Sequence, residues 1–89
     1  MEFEWDPNKA ATNFTKHGVT FSEAATVFGD PLEITIPDTD HSTEEYRFLS
    51  IGRSESGLLL VVGYTERNNH IRIITARQAT PREARHYAS

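Results

Sequence analysis

Seven arginines lie between Tyr46 and Ser89, and no lysine accompanies them there. Two of them sit in one apolar stretch, Ile71-Arg72-Ile73-Ile74-Thr75-Ala76-Arg77. Its β-branched centre reads as a strand with apolar residues on both faces, and such strands are central in a sheet. A guanidinium fixed to a rigid sheet presents a planar, permanently charged fork, which suits phosphate recognition. Arginines at strand ends also serve as ordinary solvated or salt-bridged groups. Strict alternation would put Ile71, Ile73, Thr75 and Arg77 on one face, and Arg72, Ile74 and Ala76 on the other.

Charge is distributed unevenly. Residues 1–45 hold ten carboxylates against two lysines, a balance of −8, whereas residues 46–89 hold seven arginines against three carboxylates, a balance of +4. The total of −4 speaks against a general nucleic-acid binder, but a basic half marks a surface for a polyanion or an acidic partner. Absence of cysteine removes disulfides and thiolate metal sites and fits a reducing cytoplasm. No leader-like or membrane-spanning stretch is expected, since the longest apolar run, Leu58 to Val62, is far too short. Asp38-x-Asp40-His41 has ligand types for a divalent cation but matches no complete motif, so no metal or cofactor is expected. Glycine-rich phosphate loops and Ser-His-Asp sets are missing.

The elements that must position these groups follow from local signals. At 89 residues, one domain spanning 1–89 is expected. Phe3-Glu4-Trp5 reads as a short strand. Asp6-Pro7 starts a helix to about Lys16, with Ala10, Phe14 and His17 on one stripe and Gly18 as its left-handed stop. Thr20-x-x-Glu23 is a capping box before Phe21, Ala24, Ala25 and Phe28, a second amphipathic helix. Strands are then expected over Leu32–Ile36, Glu45–Ile51, Leu58–Thr65 and Ile71–Arg77, the last three joined by short turns as an antiparallel meander. Thr80-Pro81-x-Glu83 starts a short terminal helix, in which Tyr87 packs on the core. Trp5 and Phe3 are expected in the core as well. The result is an α+β domain: two N-terminal helices on a mainly antiparallel four- to five-stranded sheet, with a short C-terminal helix.

Phe3-Glu4-Trp5-Asp6, Lys9, Asn13, Lys16-His17-Gly18-Val19, Glu45, Arg47, Ile51-Gly52 and the Ile71–Arg77 strand with Ala79-Thr80, Glu83 and Tyr87 occur together, in order, over nearly the whole chain. In this the sequence resembles the BrnT family of bacterial toxins. Thr75 stands where the family usually has serine. The resemblance implies a RelE-like fold and a cytoplasmic ribonuclease toxin of a type II toxin–antitoxin pair. It also implies a BrnA-like antitoxin as partner, with operator DNA met only through the antitoxin complex. The implied chemistry is metal-independent RNA cleavage by 2′-hydroxyl attack. That reaction requires a base, an acid and fixed positive charge at the non-bridging oxygens. For the charge, Arg47 and Arg77 are the first candidates. Glu45 and His17 are the candidates for proton transfer; Glu45 shares a face with Arg47, and a cation beside it would keep it ionised. His17 at a helix C-terminus also fits a capping role. Lys16, Arg67 and Arg72 are expected to contact RNA phosphates. A competing reading is a non-catalytic module whose arginine-rich sheet face docks a partner, arginine being common at interface hot spots. Direct DNA binding is disfavoured, because Phe21–Phe28 carries Glu23 and no cation.

Overall fold

A computed structural model describes residues 1–39 and 45–87. Part of the Asp38-x-Asp40-His41 motif, namely Asp40 and His41, lies outside the described residues. The described elements are β1 (Glu2–Glu4), α1 (Pro7–His17), α2 (Phe21–Ala25), β2 (Ile34–Pro37), β3 (Phe48–Arg53), β4 (Leu59–Arg67), β5 (His70–Gln78) and α3 (Pro81–Ala84). The strands form one sheet in the order β1-β5-β4-β3-β2. Pairing from β2 through β5 is antiparallel, but β1 runs parallel to β5. The sheet is therefore mixed, because α1 and the following elements return the chain to the sheet before β2. No helix among the described residues is long and apolar enough to cross a membrane.

The local signals act as their chemistry dictates. The Asp6 carboxylate accepts from the N–H groups of Asn8 and Lys9, and Gly18 at φ 71° closes α1. Thr80 and Glu83 complete a reciprocal capping box at α3. The β4–β5 hairpin turns through Asn68 and Asn69, both at positive φ (50° and 68°), a conformation asparagine tolerates and tight hairpins require. The second helix is shorter than its apolar spacing suggests. After Ala25 the chain tightens into a 3-10 turn over Thr26–Gly29, where the Thr26 hydroxyl donates to the Glu23 carbonyl.

The core lies on one face of the sheet. Val19, Phe21, Ala24 and Val27 pack there against Leu60, Val62, Tyr64, Ile71, Ile73 and Ala76. Phe3 and Trp5 pack against this cluster, with Trp5 edge-on to Phe21 at 6.0 Å between ring centres. Gly52 allows the 3-10 turn to approach, since a Cβ there would stand 2.8 Å from a Val27 methyl.

The expected stripe on α1 is wrong at Phe14, which is 54% exposed, while Asn13 is buried at 6%. Asn13 is buried because it finishes the sheet edge. Pairing of β1 with β5 stops at Glu4↔Arg72, which leaves the outer edge of β5 unpaired beyond that point. The Asn13 amide fills the gap, with Nδ2 donating to the Ala76 carbonyl at 2.8 Å and Oδ1 accepting from the Ala76 N–H at 3.0 Å. Nδ2 also reaches the Val19 carbonyl at 3.1 Å. A side-chain amide carries the same donor and acceptor as a peptide, so one residue stands in for a missing strand.

Candidate nucleic-acid interface on the open sheet face

The opposite face of the sheet carries the charge. Val61, Gly63 and Thr65 alternate with the core residues of β4, and their partners on β5 are Arg77, Thr75 and Arg72. Cross-strand partners share a face, so Arg72 and Arg77 project on the same side. This corrects the strict alternation expected from sequence, which separated them. The cause is a β-bulge: Tyr64 pairs with Ile73 and Gly63 with Thr75, leaving Ile74 as an extra residue on β5. The insertion shifts the parity of everything after it. Ala76 then enters the core, and Arg77 joins Arg72 outside it.

Gly63 beside the bulge leaves room for this arrangement, since a Cβ there would stand 2.7 Å from Thr75 Oγ1. Arg47 precedes Phe48, a residue packed on the core, and so falls on the open face. Its carbonyl accepts from the Asp38 N–H at 2.8 Å, extending the β2–β3 ladder by one bond.

Three adjoining hollows mark this face, and Arg47 and Ile74 line all of them. The largest, of about 430 Å³, separates the sheet from α1 and is lined by Lys9, Thr12, Asn13, Lys16, His17 and Thr75 as well. A second, of about 300 Å³, has Arg47, Arg77, Gly63, Thr75, Leu49 and Asp38 in its walls. The third, of about 170 Å³, lies among Lys9, Glu45, Arg47, Thr65, Arg67 and Arg72. Arg47 and Arg77 thus share one hollow, Arg47 and His17 another, and Arg47 and Glu45 the third. All seven site residues expected from sequence line at least one of them. Lys9, Gly63, Thr65 and Thr75 were not singled out as site residues. A glycine inside the apolar run Leu58–Thr65 was the available signal, since it marks a bulge or a close approach.

Carboxylates occupy several of the guanidinium forks. Glu45 binds Arg67 side-on, at 2.6 Å to Nε and 2.7 Å to Nη2. Hydrogen bonding from Arg67 holds the Glu45 carboxyl below its usual range, and the charges of Arg67, Arg72 and Arg47 act in the same direction. Glu83 binds Arg77 end-on, at 2.7 and 2.8 Å to its two terminal nitrogens, which leaves the Nε edge of Arg77 available. This pair lowers Glu83 to about 2 and raises Arg77. Arg72 Nη1 donates to Glu4 at 2.7 Å.

Tyr87 lies away from these hollows. Its hydroxyl donates to Asp30, and its ring faces Arg53 at 5.5 Å, so it ties the C-terminal segment to β3 and the 3-10 turn. Hydrogen bonds from Arg53 N–H and from Tyr87 lower the Asp30 carboxyl.

The family model described as "Ribonuclease toxin, BrnT, of type II toxin-antitoxin system" matches residues 5–83. Among solved structures, the chain is similar to the 1.1 Å crystal structure of the Brucella abortus ribonuclease toxin, BrnT. That match has a TM-score of 0.70 at 22% identity and covers 90% of this chain and 97% of that one; at such identity it speaks for the fold. No curated protein sequence matches.

Proposed function

The chain belongs to the BrnT family of ribonuclease toxins of type II toxin–antitoxin systems, and on that footing we propose that it is a metal-independent endoribonuclease acting through the open sheet face. The observation that carries this reading is the convergence of Arg47, Arg67, Arg72 and Arg77 from three places in the chain onto one face, beside the Lys9–Lys16 flank of α1.

A scissile phosphate in the Arg47–Arg77 hollow would have its non-bridging oxygens met by Arg47 and by the free Nε edge of Arg77. Both groups remain charged as negative charge grows on those oxygens. The 2′-oxygen attacks phosphorus and loses its proton to a base, while an acid protonates the departing 5′-oxygen. The products are a 2′,3′-cyclic phosphate and a 5′-hydroxyl. His17, which lines the larger hollow with Arg47, is one proton-transfer candidate. Glu45 is the other proton-transfer candidate, and it becomes an effective base only when released from Arg67. Lys16, Arg67 and Arg72 hold flanking phosphates. A BrnA-like antitoxin neutralises the toxin in the cytoplasm and carries the DNA contacts of the complex.

Incubation of antitoxin-free protein with RNA in EDTA tests this reading. We expect fragments ending in cyclic phosphate, and Arg47→Ala should lower kcat/KM by about 10²–10³-fold with little change in Tm. Arg77→Ala should also impair cleavage. Intact RNA, or rates unchanged in both variants, overturns the proposal. A partner-docking module without turnover is the second reading, favoured by the internal carboxylates that already occupy Arg67, Arg72 and Arg77. Expression without growth arrest and with intact messages would select it.

A further inference from the structure

Thr65 is 2% exposed in β4, and its hydroxyl has no hydrogen-bond partner among the described residues. A buried hydroxyl left unanswered destabilises the fold, and valine of the same shape would remove that penalty. Ser50 is in the same condition, but it pairs with Val62 on the core side. Thr65 instead faces the cationic side, opposite Arg72 in the ladder, and lines the smallest hollow with Lys9, Glu45, Arg47, Arg67 and Arg72. Among the described residues, four cations and one orphan hydroxyl therefore surround a space in which the one acidic group, Glu45, is bound to the Arg67 fork. Carboxylate and phosphate offer a guanidinium the same pair of oxygens.

We propose that this hollow is a second phosphate subsite, taking the RNA phosphate next to the scissile one, with the Thr65 hydroxyl as a donor and Glu45 as the resident anion that the phosphate displaces. The identity of the ligand as RNA rests on the ribonuclease reading above; the anion chemistry of the hollow does not. Arg47 lines both this hollow and the one shared with Arg77, so it can bridge successive phosphates of one strand. In the resting arrangement the Thr65 hydroxyl is closed off from water. Opening of the Glu45–Arg67 pair gives the ligand access, and the same event releases Glu45 as a base.

The test titrates the full chain with inorganic phosphate and, separately, with an uncleavable 2′-O-methyl RNA oligonucleotide. Binding is followed through the arginine Nε–H signals and the Thr65 amide. Thr65→Val should weaken both ligands about ten-fold, the usual effect of losing a hydrogen bond to a charged group, while its Tm stays level or rises. Glu45→Gln should tighten phosphate binding, because the internal competitor is gone. In cleavage assays, Thr65→Val should raise KM and leave kcat nearly unchanged. Unchanged affinities in Thr65→Val overturn the subsite. A clear drop in its Tm does so too, by showing that the hydroxyl serves the fold. Loss of phosphate binding with oligonucleotide binding intact overturns the assignment to RNA. If both ligands depend on Thr65 and wild-type protein leaves RNA uncut, the subsite stands and the ribonuclease reading falls.

Discussion

The two faces of β4 and β5 are made of residues that alternate one by one, yet they answer to different demands. On the covered face, Leu60, Val62, Ile73 and Ala76 meet Val19, Phe21, Ala24 and Val27, and shape alone decides which residues fit. On the open face, Thr65, Arg72, Thr75 and Arg77 stand outside that core; guanidiniums collect there, each of three with a carboxylate drawn from another segment. A single inserted residue, Ile74, keeps these two populations apart. In this sheet, the site depends on a parity shift as much as on residue type.

Inserting one residue between Gly63 and Tyr64, opposite Ile74, should therefore have the largest effect, because it gives Ile74 a partner and removes the bulge. It drives Arg77 toward the core or Ala76 out of it, and most of a folding free energy of about 5–15 kcal/mol is then at risk. We expect no cooperative thermal transition by circular dichroism. An insertion variant melting within a few degrees of wild type would show that the two faces do not depend on the bulge. Asn13→Ala comes next. It leaves the buried N–H and carbonyl of Ala76 without their partner, a loss of about 2–4 kcal/mol, and hydrogen exchange at Ala76 should accelerate with it. Protection unchanged at that amide would refute the edge-closing role.

The smallest effect concerns the open face alone. Glu83→Gln keeps a residue competent for the capping box but removes the charge facing Arg77. At neutral pH it should destabilise by about 1 kcal/mol, the pair being partly exposed. The Glu83 pKa falls on folding from 4.5 to about 2. Its contribution is therefore complete above about pH 4.5 and disappears as pH falls toward 2. Urea melts of both proteins across that range should converge at the acid end; a gap that persists there would rule out the ion pair as its source.

The parts legible in sequence were those with local causes. Asp6-Pro7, Gly18 and Thr80-Pro81-x-Glu83 set helix ends through neighbours two to four residues away, and the structure follows them. The parallel direction of β1, the burial of Asn13 and the parity of Arg77 depend on partners far along the chain. Asn13 meets Ala76 across 63 positions, and no window of sequence displays that. Alternation failed at Ile74 because a bulge is a property of two strands, although Gly63 on the partner strand hinted at it. The arginines were visible as residue types; their common direction was not.

Glu4, Glu45 and Glu83 also act as built-in counterions for the face they sit on. When a polyanion docks there and displaces a tethered carboxylate, no chloride or other small anion is set free by that exchange from the protein side, and the displaced group remains close enough to repel. Ionic strength should then govern affinity less steeply than the number of arginines suggests. A face guarded in this way discriminates against loosely held polyanions and retains those whose shape engages several forks at once.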